Sequence, residues 1–147
     1  MSVSYQFKTR ERGSPDNVYE IAHTKSKPNV LRGFHLQLWD KFVYPAVGNV
    51  TVCFYDIRED SVSYGIMEKF EINDKNRCVI YIPSGVAHLY LTHNNTDYFY
   101  FHCHEYEEKK TYGFSWRESG LEGKFIISQK DKKALPYKEM RKKIKWL

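Results

Sequence analysis

Cysteine is scarce in this sequence, and no apolar run is long enough to cross a membrane. The three cysteines, Cys53, Cys78 and Cys103, form no CxxC pair, which excludes the usual zinc sites built from paired cysteines. Each falls within an apolar segment, as is typical of buried, reduced thiols in cytosolic proteins. Residues 1–5 lack the apolar core of a secretion signal. We therefore expect a soluble, cytoplasmic protein with no membrane partner.

The net charge is small and unevenly distributed. With 23 Lys and Arg residues against 18 Asp and Glu residues, the chain carries a net charge of +5, which suits an anionic partner such as a nucleotide. Much of the excess lies within residues 132–145, where Tyr137 is the only aromatic residue. This segment matches no recognised nucleic-acid-binding module, so we interpret it as a solvated helix face and expect no nucleic-acid partner.

Short segments with the composition of β-strands recur along the chain, and no helical pattern separates them. Aromatic residues make up 16% of the sequence, and such side chains favour positions on pleated sheets. The predicted strands lie at residues 18–24, 30–37, 42–44, 49–57, 66–72, 78–82, 87–92, 97–103 and 124–128. This arrangement excludes parallel βαβ units and favours a sandwich or small barrel of antiparallel strands.

The C-terminal segment is the stretch with a helical pattern. We predict a lysine-rich helix over residues 131–146, with Ser128 or Asp131 as its N-cap. A length of 147 residues suits a single hydrophobic core. We therefore expect one all-β domain over residues 1–147 that ends in a helix.

The predicted strand at residues 30–37 has an unusual interior, in which Arg32 and His35 flank Gly33. Burying either charged side chain unpaired is costly, and glycine inside a strand is typical of a bulge or of close approach by a ligand. Residues three apart face opposite sides of a regular strand, but a bulge at Gly33 would bring both side chains to one cavity. Our hypothesis is that Arg32 holds an anionic group and His35 transfers protons. The alternative is a satisfied core histidine beside an exposed arginine.

A histidine motif elsewhere raises the possibility of a metal site. Residues 83–88, PSGVAH, match the second half of the cupin metal signature. The first half is absent, because the residues around His35 do not provide its HxH pair or its downstream glutamate. His102 and His104 form an HxH pair without a partner ligand near them in sequence. We therefore expect no metal.

Several of these motifs resemble the dTDP-4-dehydrorhamnose 3,5-epimerase family, a metal-free branch of the cupins. Residues 30–37, VLRGFHLQ, are similar to the family's VLRGLHYQ, and residues 82–90, IPSGVAHLY, are similar to its IPEGFAHGF. Residues 98–101 followed by Tyr106 resemble its FLYK and a later tyrosine. Two further matches are Lys41-Phe42-Val43 with Gly48, Asp56, Arg58 and Ser61, and ISQKD at residues 127–131. The matches keep the family's order over residues 12–131.

The resemblance implies a cupin-type jelly-roll barrel, a nucleotide-linked 4-keto sugar as substrate, no cofactor, and a homodimer. It implies His35 as the general base, oriented by Asp131, and Tyr100 as the general acid on the other face of the sugar. Lys41 would lie near the developing enolate. The substrate-binding residues that it implies are Arg12, Arg32, Gln37, His88 and Tyr106. N-terminal strands cross to the partner subunit in that family, which would bring Arg12 to the neighbour's site.

These residue types suit epimerisation next to a ketone. The hydrogen beside a C4 carbonyl is weakly acidic, and histidine, which titrates near neutrality, can remove it to leave an enolate. Inversion requires a proton from the opposite face, which tyrosine, with an ordinary pKa of about 10, can return. The sequence thus predicts a 3- and/or 5-epimerase of a nucleotide-linked 4-keto sugar in deoxysugar and surface-polysaccharide biosynthesis.

Departures from the family pattern leave alternatives open. The family's Q-x-N-x-S pattern, which contacts the nucleotide base, is replaced by Glu20, Ala22 and Thr24, and Phe101 replaces a lysine. The nucleotide, the sugar and the choice between C3 and C5 therefore stay open. One alternative function is a ketoisomerase that moves the carbonyl between C3 and C4. The other is a non-catalytic cupin that binds sugar nucleotides.

Overall fold

Ten β-strands dominate the computed structural model, which describes residues 18–146. The strands are β1 (Glu20–Ser26), β2 (Val30–Gln37), β3 (Lys41–Val47), β4 (Val50–Asp56), β5 (Met67–Ile72), β6 (Ile80–Ile82), β7 (Val86–Thr92), β8 (Thr96–His102), β9 (Thr111–Gly113) and β10 (Ile126–Ile127). The α-helices are α1 (Gln129–Lys132) and α2 (Tyr137–Met140), with 3-10 turns at Glu108–Lys110, Trp116–Ser119 and Arg141–Lys143. The predicted all-β class is confirmed.

The strands form two sheets that enclose a shared interior. The smaller sheet has the order β1-β8-β3-β6, and the larger has the order β10-β2-β7-β4-β5, with β9 also paired to β2. Among the described strands, the short β10–β2 pair is parallel and the other pairs are antiparallel. Val43 and Tyr98 from the smaller sheet pack in one apolar cluster with Val52 and Tyr90 from the larger sheet. The barrel interior is therefore lined by both sheets.

A second apolar cluster covers the outer face of the larger sheet. Leu36 of β2 and Leu89 of β7 contribute to it, together with Phe114 and Ile144 from later segments. Strand β7 takes part in both clusters, and all of its residues are buried. Burial on both faces explains why β7 does not show the apolar–polar alternation of a half-exposed strand.

The predicted distortion at Gly33 is present. The β2–β7 register shifts between Arg32 and His35, Gly33 has a φ of +122°, and the Gly33–Phe34 peptide bond is cis. A Cβ added to Gly33 would lie 2.6 Å from the backbone oxygen of His88. Because neither this conformation nor this approach tolerates a side chain, the position requires glycine.

The single helix predicted over residues 131–146 is wrong. This segment instead contains the end of α1, the separate one-turn helix α2 and a 3-10 turn. Pro136 explains the interruption, since proline has no N–H to donate and disfavours helical geometry in the residue before it. Ser128 is the N-cap of α1, because its hydroxyl accepts a hydrogen bond from the backbone N–H of Asp131 at 3.1 Å.

The family-matching residues at the end of β4 and just after it hold a surface loop in place. The carboxylate of Asp56 accepts hydrogen bonds from Arg58 Nε at 2.9 Å and from the Ser61 hydroxyl at 2.7 Å. The hydrogen bond from Arg58 holds the pKa of Asp56 far below its ordinary value. These residues therefore stabilise the conformation of the loop.

The cysteines lie in or next to strands. All three are free, and Cys53 is buried while Cys78 and Cys103 are half-buried. Within residues 18–146, no helix is long and apolar enough to cross a membrane.

Candidate active site

His35 and Asp131 lie in hydrogen-bond contact although 96 residues separate them in sequence. His35 Nε2 is 2.8 Å from Asp131 Oδ1, and the backbone N–H of Gly33 donates to Asp131 Oδ2 at 3.4 Å. Burial acts to raise the pKa of Asp131, but the hydrogen bond and charge of His35 hold it below its ordinary value. The carboxylate therefore stays ionised and accepts a hydrogen bond from Nε2–H.

His88 is the cross-strand partner of His35 in the β2–β7 pair, but its environment differs. Its Nε2 is 2.7 Å from the Tyr98 hydroxyl, and its ring stacks on Phe54 with centroids 5.4 Å apart. Burial, followed by the positive charges of Lys41 and His35, lowers the pKa of His88 well below its ordinary value. His88 is therefore a neutral hydrogen-bonding group.

Tyr100 belongs to β8, in the sheet that faces the one carrying His35. Its ring contacts that of His88 edge-on, with centroids 6.2 Å apart, and lies 5.2 Å from that of Tyr98. Burial raises the pKa of Tyr100 well above its ordinary value, and the neighbouring phenols of Tyr90 and Tyr98 add to this effect. Tyr100 therefore keeps its proton at neutral pH.

Lys41 is the most buried charged residue of the site, with 1% of its surface exposed. Its Nζ donates a hydrogen bond to Oε1 of Gln37, so the structure brings these two predicted residues together. Burial lowers the pKa of Lys41 to about 7. Near neutral pH, Lys41 can therefore hold or release a proton.

Arg32 is half-buried, and its Nε is buried without a hydrogen-bond partner in the described part of the chain. Its charge opposes the effect of burial on the pKa of Tyr100, so the two groups interact electrostatically. His35 interacts in the same way with His88. The register shift at Gly33 lies between Arg32 and His35.

One predicted substrate-binding residue, Tyr106, is not brought to this cluster. Tyr106 is 63% exposed, and its ring lies edge-on to Trp39 with centroids 6.3 Å apart. Arg12 lies outside the described residues.

Sequence reasoning missed some of the polar aromatic groups around the site. Tyr98 binds His88, and the Tyr90 hydroxyl lies 3.1 Å from that of Thr24. His102 is held by the indole of Trp39. The alternation of aromatic residues at positions 98, 100 and 102 of β8 could have placed them on one face.

The histidines of the described chain do not converge on a metal site. No group of three or more His, Cys, Asp or Glu side chains within residues 18–146 is arranged to hold a metal ion. The nearby ring nitrogens already have other partners, since His88 Nε2 contacts Tyr98 and His102 Nδ1 contacts Trp39.

The profile of the family described as dTDP-4-dehydrorhamnose 3,5-epimerase matches residues 2–139. The chain belongs to this family. The dTDP-4-dehydrorhamnose 3,5-epimerase of Salmonella typhimurium is 31% identical over 112 residues, covering 73% of this chain but 61% of that protein. The Escherichia coli dTDP-4-dehydrorhamnose 3,5-epimerase is 29% identical over 143 residues, covering 87% of this chain and 75% of that protein. The chain thus spans less than two thirds of the Salmonella relative.

Solved structures of dTDP-4-dehydrorhamnose 3,5-epimerase family members share the fold. The Legionella pneumophila epimerase, solved in complex with dTDP-4-keto-L-rhamnose, matches with a TM-score of 0.83 and 22% identity. The match covers 99% of this chain and 84% of that chain, and it confirms the predicted cupin-type jelly roll. The predicted membership of this isomerase family is confirmed as well.

Proposed function

We propose that this protein is an epimerase that inverts C3, C5 or both in a nucleotide-linked 4-keto-6-deoxy sugar. The observation that carries the proposal is a pair of proton-transfer groups on facing sheets. His35, backed by ionised Asp131, belongs to the larger sheet, and protonated Tyr100 belongs to the smaller one. Inversion next to a ketone needs a base on one face of the sugar and an acid on the other.

The proposed base is the Nδ1 atom of His35. Because Nε2 is engaged with Asp131, Nδ1 is the ring nitrogen left to take a proton from the carbon beside the ketone. Asp131 holds the ring in this tautomer and stabilises the imidazolium that forms. Its own low pKa keeps it from accepting that proton.

Lys41 is proposed to stabilise the enolate. Its pKa of about 7 reflects burial, and a developing negative charge on the C4 oxygen would favour its protonated form. Gln37 orients its ammonium group through the hydrogen bond already present. A donor of this kind lowers a reaction barrier by about 3 to 4 kcal/mol.

Tyr100 is proposed to return the proton from the opposite face. The raised pKa keeps the phenol protonated, and its high basicity after transfer matches that of an enolate carbon. Reprotonation from this face inverts the carbon. Reprotonation by His35 would merely restore the starting sugar.

Arg32 is proposed to hold the diphosphate of the substrate. Its buried Nε has no partner among the described residues, and a guanidinium pairs well with phosphate oxygens. The relatives from Salmonella and Escherichia coli are named for a dTDP-linked sugar, so dTDP is the nucleotide we propose. A cytoplasmic location, where such sugars are made, is consistent with three free thiols.

We also infer that the protein forms a homodimer. Strands β1 and β5 are edge strands, and they expose Ile21 and Phe70 with 61% and 47% of their surface accessible. Exposed edges with apolar side chains favour pairing with another chain. Light scattering that shows a monomer at micromolar concentration would contradict this inference.

The deciding experiment is proton exchange in deuterium oxide with dTDP-4-keto-6-deoxyglucose. NMR should show deuterium at C3, C5 or both, and His35→Ala should reduce exchange by at least about 10²-fold. His23→Ala is the matched control, because His23 also contacts an aspartate but lies on the outer face of β1. Exchange that survives His35→Ala would sink the assignment of the base.

The same spectra separate the alternative functions. An epimerase yields an inverted carbon with the ketone still at C4, whereas a 3,4-ketoisomerase moves the carbonyl to C3. A binding module causes no exchange at either carbon while still binding the sugar nucleotide.

A further inference from the structure

His102 borders the proposed acid and the proposed enolate-stabilising lysine, but the mechanism above gives it no role. Alternation along β8 puts it on the same face as Tyr100, and the two rings are parallel with centroids 5.9 Å apart. In the β3–β8 pair, its direct partner is Lys41. His102 therefore lies beside two groups of the proposed catalytic site.

One nitrogen of the His102 ring is fixed by a buried anchor. The Trp39 indole Nε1–H donates to His102 Nδ1 at 3.1 Å, and 5% of Trp39 is exposed. Because an indole can only donate, Nδ1 must be the acceptor, and the proton of the neutral ring resides on Nε2. The ring is thus held as a neutral donor with a defined direction.

The charges around His102 favour this neutral form. Burial and the positive charge of Lys41 lower the pKa of His102, with a smaller opposing effect from Glu20. Its Nε2–H has no hydrogen-bond partner in the described part of the chain. A directed N–H without a partner, beside two catalytic groups, is suited to bind an oxygen atom of a ligand.

We propose that His102 is a substrate-binding residue whose Nε2–H donates a hydrogen bond to an oxygen of the bound sugar nucleotide. The proposal rests on the function proposed above. The acceptor is either a sugar oxygen or a phosphate oxygen, since both accept from a neutral imidazole N–H. A neutral donor orients the ligand without adding a charge that would further disfavour protonated Lys41.

Two substitutions separate the roles of the ring nitrogens. In His102→Asn, the amide can replace Nδ1 as the acceptor for Trp39 but leaves no donor at the Nε2 position. In His102→Gln, the amide reaches the Nε2 position but gives up the Trp39 bond. We expect His102→Asn to raise KM about tenfold and His102→Gln to recover most of that loss. His23→Asn, on the outer face of β1, is the control and should match the wild type.

The opposite ranking would overturn the proposal, because it would mean that His102 acts only by anchoring Trp39. Equal KM values for both His102 variants, whether normal or impaired, would overturn it too. If wild-type protein shows no exchange, the proposed function fails, and the His102 contact is then tested by binding alone.

That binding test uses NMR of wild-type protein labelled with 15N. We expect a spectrum of the Nε2–H tautomer for His102 and a shift of its Nε2 resonance on binding. A shift with dTDP but not with thymidine identifies a phosphate oxygen as acceptor, whereas a shift that requires dTDP-glucose identifies an oxygen of the linked sugar. An Nδ1–H tautomer, or saturating ligand with no shift, would refute the contact.

Discussion

Residues 18–146 contain two histidine–aspartate pairs of nearly equal length, one on the outer face of the smaller sheet and one at the proposed site. His23 Nε2 lies 2.9 Å from Asp97 Oδ1, and His35 Nε2 lies 2.8 Å from Asp131 Oδ1. The Asp97 side chain is 27% exposed, however, whereas that of Asp131 is 6% exposed. Water can compete for Asp97 but barely reaches Asp131.

The surroundings of the two histidines differ even more than their carboxylates. The ring of His23 is covered by Phe99, with parallel planes and centroids 4.3 Å apart. His35 instead lies beside a buried His88 in the neighbouring strand and has Tyr100 in the facing sheet. In the proposed mechanism, a short histidine–aspartate contact alone does not make a base. A sheltered carboxylate and a facing acid are also required.

The two histidine–aspartate pairs should differ most in the loss of kcat that follows replacement of each aspartate by asparagine. Asp131→Asn should lower kcat by roughly 10²- to 10⁴-fold, because the amide no longer holds His35 in the basic tautomer. Asp97→Asn should leave kcat within about twofold of the wild type, as expected for a side chain far from the chemistry. Steady-state kinetics on both variants measure the effect, and comparable losses would erase the distinction.

The next largest effect should come from removing the facing acid. Tyr100→Phe should lower formation of the inverted sugar about 10²-fold, while His35 continues to exchange the substrate proton. Deuterium should therefore accumulate in recovered, uninverted substrate. Loss of exchange together with inversion would mean that Tyr100 supports binding or the base rather than reprotonation.

As pH rises, deprotonation of Lys41 should lower activity but raise the stability of the folded protein. Because its pKa is lowered to about 7, kcat should fall as pH rises through neutrality and the ammonium form is lost. Between about pH 7 and 8.5, the unfolded chain holds a proton on Lys41 that the folded chain has released, so stability should rise with pH by up to about 1.4 kcal/mol per unit.

Lys41→Met isolates this contribution. Denaturant unfolding should show a flatter pH dependence for the variant than for the wild type over that window, together with lower kcat. If the free energy of unfolding of the wild type exceeded that of the variant by the same amount at pH 7 and at pH 8.5, the lowered pKa of Lys41 would be contradicted.

The smallest expected effect is on stability and comes from the His23–Asp97 pair. His23→Ala should change the free energy of unfolding by about 1 kcal/mol or less, since exposed ion pairs contribute little. Chemical denaturation measures it. A much larger loss would mean that the His23–Phe99 stack contributes to the fold of the smaller sheet.

Much of the fold and part of the site could be predicted from sequence because local signals were strong. The bounds of β2 were predicted correctly from its apolar pattern, and Gly33 revealed its own distortion. The continuous C-terminal helix was wrong because the lysine-rich composition outweighed Pro136 in the prediction. Local composition cannot show how that segment folds back onto the larger sheet, where Ile144 joins the outer cluster.

The contacts that set the hydrogen bonding and the pKa values of the site residues involve partners that are distant in sequence. The family resemblance brought His35 and Asp131 into one hypothesis. The hydrogen bond between Tyr98 and His88 instead follows from how β7 and β8 face each other across the interior. The low pKa of Lys41 likewise follows from complete burial. No pattern around residue 41 reveals that depth, because strand β3 alternates and its inward face cannot be known from composition alone.

The burial of β7 on both faces has a consequence for hydrogen exchange. Its side chains are covered on both faces, and its backbone is paired to β2 and β4. Its amide protons can therefore exchange with solvent only through large-scale opening, and they should be among the slowest in the chain. Rigid β7 therefore fixes the position of His88, the cross-strand partner of His35.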